Sequence, residues 1–165
     1  MPVTRDIVAT YRGPGRVMRR LLGMGEREDR ALAILMAGCL VAFVSTWPGL
    51  QRQAHFAGEE LNPLLAGSLM GWIFLAPLLF YLIALISLFI LRAIRGKLSG
   101  FDARLALFWA FLAASPLLLL HGLVAGFIGP GVEKNIVGAL WMVMFLWFWI
   151  SGMKAAGWGR EHDAG

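Results

Sequence analysis

The side chains that could carry chemistry are few, and the most notable lie inside long apolar stretches. His121 is the one titratable residue of interest there, and Ser115 precedes it on the same stretch. An ionisable group within a membrane is a candidate functional residue by default, so Ser115 and His121 form a candidate intramembrane polar site. Tyr81 could extend it into a polar seam. The alternative is a neutral histidine hydrogen-bonded to a neighbouring helix, which a kink at Pro116 would favour.

Outside these stretches, His55 and Glu59 are four residues apart, so one helical turn would bring them together. Two ligands do not complete a metal shell, and a solvated loop is favoured. Residues 126–131 read G-x-x-G-x-G after an apolar stretch, which predicts a turn and not a dinucleotide fingerprint. We therefore predict no catalytic residue, no cofactor and no metal site, and we expect the protein not to be an enzyme.

The elements that must position these side chains are four uncharged apolar stretches, at residues 31–50, 64–91, 105–128 and 136–153. All 15 basic and 10 acidic residues lie outside them. A charge at the bilayer centre costs roughly 2.5–3.5 kcal/mol, and a span needs about 20 apolar residues. The sequence thus predicts an all-α polytopic membrane protein with four transmembrane helices and excludes a soluble globular domain.

The basic residues alternate between the two sides of these spans. Arg52 and Lys134 fall on one side, and the other thirteen fall on the other: Arg5, Arg12, Arg16, Arg19, Arg20, Arg27, Arg30, Arg92, Arg95, Lys97, Arg104, Lys154 and Arg160. This positive-inside pattern predicts a multi-pass protein of the bacterial inner membrane with both termini cytoplasmic. No aromatic residues interleave with the basic cluster, so nucleic acid is not an expected partner.

Residues 4–24 are the only amphipathic stretch, interrupted at Gly13-Pro14-Gly15. Apolar residues 17, 18, 21 and 22 then fall on one side of a helix, opposite Arg16, Arg19 and Arg20. One interpretation is an interfacial helix whose arginines lie near anionic headgroups. The other is a basic flank that only sets topology.

Tryptophan placement follows the predicted membrane boundaries. We expect six rings near headgroups, where an apolar body and a donor N–H are both accommodated: Trp47, Trp72, Trp109, Trp147, Trp149 and Trp158. Trp141 is better explained by core packing. Together with the three arginines of residues 4–24, Trp147 and Trp149 are the candidate membrane-interface contacts.

The chain accordingly divides into a cytoplasmic N-terminal interfacial segment (1–30), a four-helix transmembrane domain (31–153) and a cytoplasmic tail (154–165). Trp47-Pro48-Gly49 is expected to close the first span, and residues 51–63 to form an outer connection. Small residues four apart could let helices approach closely: Gly67 and Gly71, Gly122 and Gly126, Ala33 and Ala37, Ala110 and Ala114.

The loop Gly96-Lys97-Leu98-Ser99-Gly100-Phe101-Asp102, the step Ala114-Ser115-Pro116 and the tryptophan-rich last span carry a family likeness. In these features the chain resembles the Yip1 family of small multispan membrane proteins. The resemblance implies an integral membrane protein without catalytic residues that works through protein or lipid contacts. It departs from the family in having four spans where five are common. It also lacks the acidic-aromatic-glycine-proline motif, so an association with small GTPases is not implied.

The charge-free spans and the interfacial segment favour an accessory, scaffold or assembly protein that contacts a larger membrane complex. Its expected partners are membrane lipids and another integral membrane protein, or further copies of itself. Two alternatives stay open. One is a small channel or transporter with a polar seam around His121, and the other is a lipid or membrane-shape sensor acting through residues 4–24.

Overall fold

A computed structural model describes residues 3–93 and 98–159, except for the side chains of Trp158 and Gly159. Predictions attached to Arg95, Lys97, the Trp158 ring and the tail beyond Gly159 lie outside this description. The described segments are α1 (Val3–Arg12), α2 (Pro14–Gly23), α3 (Glu28–Ala57), α4 (Leu61–Met70), a π-helical turn (Gly71–Leu75), α5 (Ala76–Ala93), α6 (Gly100–Phe127) and α7 (Val132–Gly159).

Four helices are long and apolar enough to cross a membrane: Glu28–Ala57, Leu61–Ala93, Gly100–Phe127 and Val132–Gly157. The second comprises α4, the π-helical turn and α5. The all-α class and the four predicted spans are therefore confirmed in the described part of the chain, and they are consistent with a membrane protein. Most helix ends extend several residues beyond the predicted apolar cores, because polar residues continue the helices at both ends.

The predicted end of the first span at Pro48 is wrong. Pro48 lies inside α3, which continues to Ala57 and ends at Gly58 with a left-handed φ of 68°. Proline removes a helix hydrogen bond, and tertiary packing can compensate within a membrane bundle. Here Pro48 lies so close to α6 that a Cβ added to Gly126 would be 2.3 Å from the Pro48 Cβ. Arg52 and His55 consequently stand on a helix and not in a loop.

The π-helical turn lies directly before a proline. Its wide hydrogen bond runs from the Ala76 N–H to the Gly71 carbonyl. Pro77 follows at once and offers no N–H, and its ring would crowd the carbonyl of Ile73 in a regular α-helix. The extra residue in the turn relieves that crowding and divides the second span into α4 and α5.

α6 is the centre of the bundle. More than half of its most apolar window, 56%, is buried, against 11% for the second span. α3 approaches it closely at Gly122, where an added Cβ would lie 1.8 Å from the Ser45 carbonyl oxygen. The predicted close approach at Gly122 and Gly126 is thus confirmed, as small residues on one helix face allow.

Of the other three small-residue pairs, one is packed and two are not. Ala110 and Ala114 of α6 are fully buried in the core. Gly67 and Gly71 have no neighbouring atom within 4 Å of an added Cβ, and the Ala33 and Ala37 side is exposed. Spacing alone therefore does not identify which faces pack.

Aromatic contacts attach the second span to α6. Trp72 stacks on Phe111 at 6.3 Å between ring centroids, and Phe80 meets the same ring at 4.4 Å. Tyr81 packs edge-on against Phe108 at 5.0 Å. These three contacts leave most of the second span's aliphatic side chains pointing away from the bundle.

Candidate functional sites

The bundle has two ends that differ in charge. We call the end where α3 and α6 begin the basic end, and the end at Ala57–Leu61 and Phe127–Val132 the distal end. Three features of the described residues could serve a function: a pair of short helices on the basic end, an aromatic row on α7, and a cavity at the distal end.

The short helices α1 and α2, here the N-terminal cap, pack on the basic end. The apolar side of α2 is buried through Val17, Met18 and Leu21, whereas Arg16 and Arg19 are exposed. The Met18 methyl lies 3.3 Å from a Cβ built on Gly152 of α7. The amphipathic pattern of residues 4–24 therefore buries its apolar side against protein. Whether the arginines lie at a membrane surface stays a prediction.

Polar contacts fasten the cap to α6. The indole N–H of Trp109 donates to the Thr10 hydroxyl at 3.1 Å, and that hydroxyl donates to the Asp6 carbonyl at 2.7 Å. The Asp6 carboxylate forms an ion pair with Arg20. The expectation that Trp109 lies among headgroups is thus not met, because Thr10 supplies a partner that lets the ring be buried.

Tyr11 completes the cap's contact with α7. Its ring meets Phe148 edge-on at 4.9 Å between centroids, and its hydroxyl is buried with no partner within the described residues. Burial raises the pKa of the Tyr11 phenol above its ordinary value of 10.0. The phenol therefore stays neutral over the physiological range.

The candidate interface tryptophans differ in their surroundings. Trp147 is 45% exposed and faces away from the core, and its place at a membrane boundary stays a prediction. Trp149 is partly buried and stacks on Phe145, which stacks in turn on Trp141, at 5.9 and 5.5 Å. This row of three rings along α7 accounts for Trp141 by packing, as predicted.

The predicted polar seam is not assembled. Ser115 is buried in α6, and His121 lies six residues on, about 240° further around the helix. Tyr81 lies nearer the basic end and borders a separate groove with Arg104. The structure therefore places the three side chains in three different surroundings.

His121 lies in the distal cavity, a space of about 700 Å³ between α3, the second span, α6 and the start of α7. The His121 ring packs against α7 at Gly138, which has no side chain. A Cβ built on Gly138 would lie 3.4 Å from the His121 Nε2. The polar side of the cavity is lined by Ser45, Thr46, Arg52, Gln53, His121 and Lys134.

Arg52 anchors the mouth of this cavity. Its guanidinium donates to the carbonyl oxygens of Gly126 and Phe127 at 3.3 and 3.5 Å, and it lies 4.9 Å from the Phe56 ring centre. It thereby binds the C-terminal carbonyls of α6, where positive charge is favourable. Gly129, with φ of 95°, leaves room for this side chain.

Within the described residues, no group of three histidine, cysteine or acidic side chains could hold a metal ion. His55 is exposed on the last turn of α3, and Glu59 follows beyond the left-handed Gly58. Comparison with protein-family models, with curated proteins and with solved structures found no match.

Sequence reasoning missed the residues that fasten the two ends. Asp6 and Thr10 are four apart on α1, a spacing that places them on one face, but nothing local indicates that this face is buried. The charge pattern identifies Arg52 only as one of two basic residues on its side of the spans. An isolated arginine where the pattern otherwise excludes them was the available signal.

Proposed function

We propose that this is an integral inner-membrane accessory, scaffold or assembly protein of bacterial type that acts through helix–helix and lipid contacts with a larger membrane complex. In this proposal the N-terminal cap and both termini face the cytoplasm. The resemblance to the Yip1 family is part of the same proposal.

The observation that carries it is the outward side of the second span. α5 turns a continuous row of aliphatic and aromatic side chains away from the bundle: Leu78, Leu79, Leu82, Leu85, Ile86, Phe89 and Ile90, all about half exposed or more. The row contains no polar side chain, so its neighbour must be lipid or another apolar helix.

The rest of the molecule suits a rigid support for such a contact. α6 is held on one side by the glycine approach to α3 and at its start by the Arg104–Glu28 ion pair. A capping box between Ser99 and Asp102 fixes its first turn. Because α6 is held in this way, α5 is already ordered when it meets a partner, and binding does not cost the entropy of ordering it.

The test is site-specific photo-crosslinking in native membranes. A photoreactive residue at Ile86 of α5 should yield a discrete protein adduct, whereas one at Val143, which is also exposed but on α7, should not. Purification in mild detergent should retain the same adducted protein. A chain that elutes alone and monomeric, with only lipid adducts at Ile86, would refute the proposal.

Orientation is tested separately with reporters fused to the C-terminus and inserted at Glu60. Activity of an alkaline phosphatase reporter only at Glu60 is expected. The two alternatives receive less support. Of the polar side chains proposed for a channel, His121 borders the distal cavity and Tyr81 borders a separate groove beside Arg104. The cap's apolar side, which a lipid sensor would insert, is already buried.

A further inference from the structure

The distal cavity combines a cationic rim with an apolar wall. Arg52 and Lys134 border it, together with the imidazole of His121 and the amide of Gln53. No aspartate or glutamate is among the described residues that line it, and Glu133, next to Lys134, is not one of them. The rim therefore suits an anion.

Neither the Arg52 charge nor the Lys134 charge is paired with a carboxylate of the described residues. Within the described residues, neither Arg52 nor Lys134 has a carboxylate oxygen within 4.0 Å. Arg52 uses part of its guanidinium on two backbone carbonyls of α6, and five N–H donors leave others for a ligand. Phosphate and carboxylate oxygens are the acceptors that such donors bind best.

Part of the cavity wall is apolar. Leu50, Trp72 and Leu118 line it, and most of the cavity surface is apolar. Trp72 lies eleven residues beyond Leu61, which places it about 16 Å along the second span from the distal end. A small soluble anion would leave this wall in contact with water.

We propose that the distal cavity binds an anionic glycerophospholipid, with the phosphate between Arg52 and Lys134 and the first part of an acyl chain along Trp72. Its volume of about 700 Å³ falls in the range of small-molecule sites. This inference goes beyond the proposed scaffold function and does not depend on it, because no residue of α5 is among those that line the cavity.

The experiment is native mass spectrometry of the delipidated protein in a neutral detergent, titrated with phosphatidylglycerol, phosphatidylcholine or glycerol 3-phosphate. Phosphatidylglycerol should bind at least tenfold more tightly than the other two. Equal binding of phosphatidylcholine would overturn the anion assignment. Equal binding of glycerol 3-phosphate would overturn the lipid assignment in favour of a soluble phosphate.

Two lysines of the same helix provide matched variants. Lys134→Gln removes a charge at the cavity and should weaken phosphatidylglycerol binding roughly tenfold, as for a lost charged hydrogen bond. Lys154→Gln removes an exposed charge near the other end of α7 and should change nothing. An equal loss in both variants would show attraction to net charge only and overturn the site.

Lys134→Arg keeps the charge and should keep the binding within about threefold. If Lys134→Gln fails to fold, the wild-type preference for phosphatidylglycerol decides alone. That preference should fall sharply at high salt, since the rim is reached by solvent. A preference unaffected by salt would overturn the charged-rim explanation.

Discussion

Replacement of Gly122 by alanine should separate α3 from α6. The new Cβ would lie 1.8 Å from the Ser45 carbonyl oxygen, and real Cβ atoms essentially never come within 3.0 Å of another heavy atom. That oxygen belongs to the backbone, so α3 itself must shift. Overpacking costs about 1–3 kcal/mol, and a clash this short with a backbone atom belongs to the upper part of that range, about 2–3 kcal/mol. Replacing a helical glycine by alanine gains about 1 kcal/mol, so the net loss is about 1–2 kcal/mol.

Cys39 provides the assay. It is the only cysteine, it lies on α3, and it is fully buried. Its alkylation by a maleimide in detergent solution therefore reports opening of the core. A net loss of 1–2 kcal/mol should speed labelling by roughly 5- to 30-fold, since each 1.4 kcal/mol is a factor of ten.

The matched control is Gly67→Ala. This glycine also has a glycine four residues on, but no atom lies within 4 Å of its added Cβ. It should slow labelling or leave it unchanged, because alanine favours the helix. Equal labelling rates in the two variants would refute the reasoning that α3 and α6 meet at Gly122.

Three further predictions concern the N-terminal cap and the distal end. Thr10→Val leaves the buried Trp109 N–H without an acceptor and should cost about 1–3 kcal/mol; trypsin cleavage at Arg12 should accelerate, with the exposed Thr4→Val as control. Tyr11→Phe should leave stability at pH 7 unchanged or slightly higher, because the lost hydroxyl has no partner. The pKa of the Tyr11 phenol is raised in the folded state, so the stability of the cap should be full below pH 10 and should fall above it. Tyr11→Phe should reduce that fall, and identical pH profiles for the two proteins would contradict this reasoning. Arg52→Gln should free the last carbonyls of α6 and lower the thermal midpoint, and full retention of that midpoint would show that the two hydrogen bonds contribute nothing.

The four spans could be predicted because charge avoidance extends over windows of about 20 residues and needs no knowledge of neighbours. The ends of the helices were harder to predict. The polar residues after Pro48 favour a loop by their composition, yet they continue α3. One of them, Arg52, donates to a carbonyl oxygen of α6 that lies 74 residues further along the chain. A local pattern cannot indicate an interaction of that separation.

The candidate sites likewise divide into features that a local sequence pattern predicts and features that depend on tertiary contacts. The exposed side of α2 with Arg16 and Arg19 follows from helical periodicity alone. Burial of Trp109 does not, since it depends on the Thr10 hydroxyl being present at the right depth. The cavity beside His121 likewise needs four segments to meet, and only the three-dimensional arrangement brings Lys134 to it.

The docking of α1 on α6 sets an order of events during biosynthesis. Thr10 leaves the ribosome 99 residues before Trp109, and at about 5–20 residues per second the gap lasts roughly 5–20 seconds. Throughout that interval α1 and α2 lack the helix surfaces against which they pack. They can dock fully only once α6 and α7 have been made and have packed together, so their docking marks a completely assembled bundle.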